Sequence, residues 1–184
     1  MVWEITAEEL LERYADGERN FAGIKLANYG LYGFRRSKYG TGSLDLDGVV
    51  LQDINLRGAY LNQVYLIGAD LIGADLGGIF LESCYLSESI IRDANLRGAC
   101  LDWSAFDNAD LRGSNLDHMN ASCANFPGVQ IGSFDYAVLA RTYFKGAHTS
   151  DGMICRGSNL IWRTTMPSGI VIEGPQWGNG RDAR

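Results

Sequence analysis

The stretch Ala69-Asp70-Leu71-Ile72-Gly73-Ala74-Asp75-Leu76-Gly77-Gly78 repeats itself after five residues. Its two leucines belong to a series that runs outward in both directions. Leu46, Leu51, Leu56, Leu61, Leu66, Leu71, Leu76, Leu81, Leu86, Ile91, Leu96, Leu101, Phe106, Leu111, Leu116, Ala121, Phe126, Ile131 and Tyr136 stand at every fifth position. In a chain that is 46% apolar, chance produces such a run roughly once in a few million trials, so it is a repeat. A helix places like residues every 3.6 positions and a flat strand every 2. A period of five fits neither, and the chain must turn a corner every five residues.

Position within the five carries the physics. Two residues before each apolar centre is a second inward position, small in Ala59, Ala69, Ala74, Ala94, Ala99, Ser104 and Ala109. One residue before it is often Asn or Asp, as in Asn55, Asp70, Asp75, Asn95 and Asp110. Two residues after it is often Gly, which suits a corner that needs unusual backbone angles. Stacked Asn side chains can hydrogen-bond along the ladder.

Ala69-Asp70-Leu71-Ile72-Gly73, Ala94-Asn95-Leu96-Arg97-Gly98 and Ala109-Asp110-Leu111-Arg112-Gly113 match A-(D/N)-L-x-x letter for letter. In this the chain resembles the pentapeptide repeat family over about residues 21–136, and its flanks are similar to those of cyanobacterial members. The resemblance implies an all-β solenoid, a right-handed quadrilateral β-helix with four pentapeptides per coil. Residues twenty apart then stack, giving the ladders Leu46-Leu66-Leu86-Phe106-Phe126, Leu51-Leu71-Ile91-Leu111-Ile131, Leu56-Leu76-Leu96-Leu116-Tyr136 and Leu61-Leu81-Leu101-Ala121.

Three regions follow. Residues 1–20 are expected to hold an N-terminal capping α-helix over 6–16: Thr6 and Glu9 form a T-x-x-E capping box, Ile5 and Leu10 a hydrophobic staple, and Gly17 a stop. Residues 21–140 form the β-helix, entered through Phe21, Leu26 and Leu31 and distorted by a half-coil or bulged loop near 35–43, where Arg36 and Thr41 break the phase. Tyr29, Phe34, Phe134 and Leu139 fall on the second inward position and are expected to plug the tube ends. Residues 141–184 form an irregular C-terminal cap and tail. There the phase fails at Arg141 and resumes one residue early with Cys155 and Leu160 as centres, so His148–Met153 reads as an inserted loop. Met166-Pro167-Ser168-Gly169 reads as a turn into a strand at Ile170-Val171-Ile172, and the tail frays after Trp177.

The charge is uneven. Residues 1–43 balance, residues 44–136 carry thirteen acids against four bases, and residues 137–184 carry three acids against six bases. An acidic repeat repels nucleic acid and membrane surfaces and attracts basic protein surfaces, or it simply keeps a rod soluble. The chain has no 18-residue apolar run and no basic-then-apolar leader, so a cytoplasmic protein is expected. Cys84 points inward. Cys100 and Cys123 share a wall about 11 Å apart, from ~3.3 Å per residue and ~4.8 Å per coil, too far for a disulfide. His118 and His148 show no ligand spacing, and no CxxC, HExxH, Walker or G-x-S-x-G motif occurs. Accordingly no catalytic residue, cofactor or metal is expected.

Applying the four-sided stack produces one constellation. Tyr60 and Phe80 become consecutive outward rungs with Cys100 above them, Tyr65 and Tyr85 the matching rungs of the next wall, and Ile67 and Trp103 their neighbours. A contiguous exposed aromatic patch marks a contact surface, unless the C-terminal segment folds back over it or it is merely stacked wall. The leading expectation is a non-catalytic scaffold docking an unidentified protein, with weak self-association as a variant. The alternative, implied by the resemblance, is an acidic DNA-mimic rod bound by a type II topoisomerase such as gyrase. The capping helix, the long C-terminus and Arg57, Arg92, Arg97 and Arg112 depart from that pattern.

Overall fold

The structure, a computed structural model, describes residues 3–27, 44–132, 134–156 and 158–177. The expectations for Tyr29, Leu31, Phe34, the basic loop near 35–43 and the tail after Trp177 lie outside the described residues.

Four columns of parallel bridges run along the repeat. They join Val50, Asp70, Ile90, Asp110 and Gln130; Asn55, Asp75, Asn95 and Asn115; Tyr60, Phe80, Cys100 and Asn120; and Tyr65, Tyr85, Ala105 and Asn125. Each step is twenty residues, so a coil has four five-residue sides. The ladder is reciprocal: Leu51 N donates to Asp70 O at 2.8 Å and Asp70 N donates to Val49 O at 2.8 Å. Eighteen of the nineteen periodic residues, all but Tyr136, are buried. Burying one such side chain is worth ~1.5–3 kcal/mol. We name the four faces by their inward ladders: Leu51, Leu56, Leu61 and Leu66, in the order the chain visits them.

The corners explain the rest of the pattern. At most corners the N–H of the second inward residue donates to the carbonyl of the preceding centre, as Ala69 to Leu66 at 3.1 Å and Ala99 to Leu96 at 3.0 Å, whereas Cys84 and Ala94 donate to the hydroxyls of Ser104 and Ser114 at 3.0 and 3.1 Å. The third residue of that turn has positive φ, +67° at Gly68 and +70° at Gly98, as a type II turn requires. The Asn or Asp before the centre caps the corner locally. Asp70 Oδ1 accepts from Ile72 N at 3.2 Å, Asp75 Oδ1 from Gly77 N at 3.1 Å and Asn95 Oδ1 from Arg97 N at 3.1 Å. These are Asx turns. Some side chains also bond between coils: Asn95 Nδ2 donates to Asp75 Oδ1 at 2.8 Å.

At the N-terminal end, β1 (Trp3–Ile5) pairs in parallel with β2 (Ile24–Leu26). Between them α1 (Ala7–Ala15) starts at Thr6, whose hydroxyl accepts from Glu9 N at 3.1 Å. Glu9 reaches forward to Arg13 at 3.4 Å. Leu10 is buried and shares a narrow apolar void of about 10 Å³ with leucines of the ladders, including Leu46, Leu51, Leu56 and Leu61. Asn20 pairs with Asn55 and Lys25 with Tyr60, thirty-five residues apart, whereas β3 (Leu44–Asp45) pairs with β4 (Val64–Tyr65) at twenty. The chain therefore carries fifteen extra residues between Ala27 and Leu44, three pentapeptide lengths, which is why the phase survives.

The far end corrects three expectations. Asn120 pairs with Val138 and Asn125 with Tyr143, eighteen residues apart. Two residues are missing from this coil relative to the others. Phe134, not Tyr136, is the inward residue; Phe134 is 3% exposed and Tyr136 58%. Phe134 and Leu139 are therefore centres in a shifted phase, not second-position plugs, and Arg141 is a corner residue at φ +58°. Next, α2 (Asp151–Arg156) takes up the second half of the stretch read as an inserted loop and runs past it. Finally, β5 (Val138–Ala140) pairs in parallel with β6 (Leu160–Trp162). Ile161 and Ile154 are buried, whereas Leu160 and Cys155 are only half-buried. The inward slot is one residue away from the one expected, because α2 consumes chain at a helical rise. β7 (Thr164–Thr165) and β8 (Val171–Ile172) form an antiparallel pair around Gly169, at φ +91°. β9 (Gln176–Trp177) adds antiparallel to β6.

Candidate protein-contact face

The Leu61 and Leu66 faces meet at one edge, and the structure places the expected aromatic residues there. Tyr60 and Phe80 stack with ring centroids 4.5 Å apart and planes 2° apart. Tyr65 and Tyr85 stack at 4.6 Å and 9°. The coil repeat dictates this: bridged residues sit one strand spacing apart, about 4.8 Å, which is a ring-stacking distance. Trp103 occupies the corner column between the two faces, one rung above Ser83, whose N–H bonds Asp102 O at 2.9 Å. Ile67 lies at the opposite edge of the Leu66 face and is half-buried. It is the least integrated of the six expected residues.

Tyr85 is 45% exposed and Trp103 63%. Trp103 also has φ +62°, a conformation that a bulky L-residue rarely adopts and that costs of order 1 kcal/mol or more. The positive φ belongs to the corner itself, shared by Gln63, Ser83 and Cys123 in the same column; what sets Trp103 apart is a large apolar side chain left in water.

The backbone has adapted to the aromatic residues. Where Tyr65 and Phe80 replace the usual Asx, the corner N–H loses its local acceptor. Asp47 Oδ1, one coil below, accepts from Ile67 N at 2.8 Å, and Asn62 Oδ1 accepts from Glu82 N at 3.0 Å. Both substitutes project from the coil beneath.

Next to the stacks lie Cys100, Asp102 and Asn120. Asp102 Oδ1 accepts from Ser122 N at 3.1 Å and Oδ2 from Asn120 Nδ2 at 2.9 Å. Burial pushes the Asp102 carboxyl above the usual carboxylate range despite these bonds. Burial likewise raises the Cys100 thiol, so this is not an activated nucleophile. Cys84 is deeply buried, its Sγ 2.9 Å from Leu61 O, and burial pushes it up to about 12. All four cysteines are free. His118 stacks on Tyr136 at 4.9 Å on another corner. Among the described residues no group of His, Cys, Asp and Glu is arranged to hold a metal, and no helix is long and apolar enough to cross a membrane.

The described C-terminal segment does not cover the patch. β9 joins the far end of the Leu61 face, where Trp162 and Trp177 are exposed, as is Tyr143 on the Leu66 face. Sequence reading missed these three residues because its register had already slipped before Phe134.

The family described as pentapeptide repeats matches the chain in eight copies, over residues 45–82, 65–102 and 99–131. No curated protein matches it. Among solved structures, a pentapeptide repeat protein (Rfr23) from the cyanobacterium Cyanothece 51142 is similar at 23% identity and TM-score 0.48, covering 79% of this chain and 97% of that one. HetL, a pentapeptide repeat protein involved in heterocyst differentiation regulation in Nostoc sp. strain PCC 7120, is similar at 22% identity and TM-score 0.36, covering 91% and 100%. A trypsin-treated form of QnrB1, a plasmid-mediated fluoroquinolone resistance protein, is similar at 19% identity and TM-score 0.43, covering 71% and 68%.

Proposed function

This chain belongs to the pentapeptide repeat family, and from that premise we propose that it is a non-catalytic scaffold, its coils wound right-handed and closed by α1 and the C-terminal strands, that docks another protein on the Leu61 and Leu66 faces. The observation that carries this reading is the exposed aromatic edge: two ring stacks in register and Trp103 left in water beside them. Large aromatic side chains on rigid backbone lose little entropy on binding and are frequent anchors of interfaces. The test is affinity capture from the native cell with the parent and with Tyr60, Phe80 and Tyr85 all changed to Ser. Captured proteins should disappear with the variant while its melting remains cooperative. Equal capture by both would contradict the proposal.

A second reading is an acidic rod bound by a type II topoisomerase, favoured by the excess of nine acids over bases in residues 44–136. Four arginines interrupt that surface. Inhibition of gyrase supercoiling by the pure protein would support this reading, and unchanged supercoiling would remove it.

A further inference from the structure

The two aromatic faces differ from the other two in charge. All four arginines of the repeat, Arg57, Arg92, Arg97 and Arg112, fall on the Leu51 and Leu56 faces. There three of them meet carboxylates: Arg112 lies 2.6 Å from Asp110, Arg92 3.7 Å from Asp110, and Arg57 3.8 Å from Asp75. From Leu44 to Gly128 the Leu61 and Leu66 faces hold six acids and no Lys or Arg. Glu82, Glu88, Asp102 and Asp107 form no ion pair among the described residues.

The aromatic stacks also stop abruptly. The rung after Phe80 is Cys100 and the rung after Tyr85 is Ala105. Both are too small to cover a six-membered ring. The ring faces of Phe80 and Tyr85 that point along the axis, away from Tyr60 and Tyr65, thus form a ledge. At the level of that ledge stand Asp102, Trp103 and Asp107.

We propose that this ledge binds arginine side chains of a basic segment on the partner protein. A planar guanidinium lies flat on an aromatic face and pairs sideways with a carboxylate, which a lysine ammonium does less well. The exposure of Trp103 then has a use, as its indole walls the ledge from the corner. This inference rests on the scaffold reading and specifies the chemistry of the partner.

The test is fluorescence anisotropy with fluorescein-labelled nona-arginine, and nona-lysine as the comparison. The parent should bind nona-arginine at least about fivefold more tightly than nona-lysine. Ala105→Leu fills the ledge without changing any charge and should remove that preference. Trp103→Gly should weaken binding by about fivefold, with a melting temperature equal to or above that of the parent because glycine relieves the positive φ. The triple change D70N/D75N/D117N on the other faces should leave the preference intact. Equal affinity for the two peptides, or full binding by Ala105→Leu and Trp103→Gly, overturns the inference. If nona-arginine fails while capture from cells still depends on Tyr60, Phe80 and Tyr85, the scaffold reading survives and the arginine ledge falls. The converse result removes the scaffold's dependence on those rings and keeps the ledge.

Discussion

The carboxylate of Asp47 accepts the backbone N–H of Ile67, twenty residues on, at 2.8 Å. Where an Asx precedes the centre, that corner N–H is capped from within its own pentapeptide, as Asp70 caps Ile72. At Ile67 the local position is Tyr65, which has no acceptor for it. The aromatic ladder is thus built at the expense of local capping, and the coil below restores the lost bond.

This substitution predicts a coupling. Asp47→Ala should destabilise the protein by about 1–2 kcal/mol, the cost of an unmet N–H. In a Tyr65→Asn background the same change should cost less, because the introduced amide oxygen would cap the corner locally. A double-mutant cycle on urea unfolding measures the difference. Additive effects would show that Asp47 does not replace the missing cap.

The corner glycines carry a second prediction. The Asp93 carboxylate lies in the space that a methyl group on Gly113 would take, and Gly113 has φ +75°. Gly113→Ala should cost about 1–2 kcal/mol from the backbone alone, plus the clash. Adding Asp93→Ala should recover the clash part only. Thermal melts of the two variants separate the contributions. At Gly48 a Cβ meets nothing within 4 Å, so Gly48→Ala should show the backbone cost without the clash.

Buried Cys84 gives a pH signature. Its thiol is held protonated up to about 12 in the folded state, against about 8.5 in an unfolded chain. Below the unfolded value both states keep the proton and Cys84 adds no pH dependence. Between those values the unfolded state ionises first, so stability falls as pH rises. Cys84→Ala should flatten the stability curve in that window, read by urea midpoints against pH. In the native protein a maleimide should label Cys100, Cys123 and Cys155 and spare Cys84 until unfolding.

Two carboxylates should titrate in opposite directions. Burial raises Asp102, whereas the Arg112 side chain hydrogen-bonded to Asp110 lowers that group. Carboxyl-carbon NMR should show Asp102 protonating first as pH falls. Arg112→Ala should move Asp110 upward and leave Asp102 in place. The contribution of the Asp110–Arg112 pair is present above the ordinary carboxylate range and is lost as pH falls through the depressed value.

Most of the tube was legible because each position in the five has its own physical demand. Leu71 must be buried, Asp70 must cap and Gly73 must turn, so the letters repeat. The error at Tyr136 has an equally physical cause. A two-residue deletion moves the second inward slot into the place of the centre, and both slots accept apolar residues. Phe134 and Tyr136 satisfy either register by composition, so periodicity cannot distinguish them. Leu160 and Ile161 pose the same ambiguity after α2. The aromatic patch was readable because it depends only on the twenty-residue stack, whereas the ledge depends on the smallness of Cys100 and Ala105 next to it. The capping by Asp47 and Asn62 was not readable, since no repeating letter marks it.

The most direct test of the contact face is site-specific photocrosslinking in the native cell, with benzoylphenylalanine placed singly at position 103 and at position 112. Position 103 lies on the aromatic edge and position 112 on the Leu51 face. A discrete crosslinked protein is predicted from position 103 and none from position 112. A crosslink from position 112 alone, or the same products from both, would contradict the assignment of the aromatic edge as the docking face.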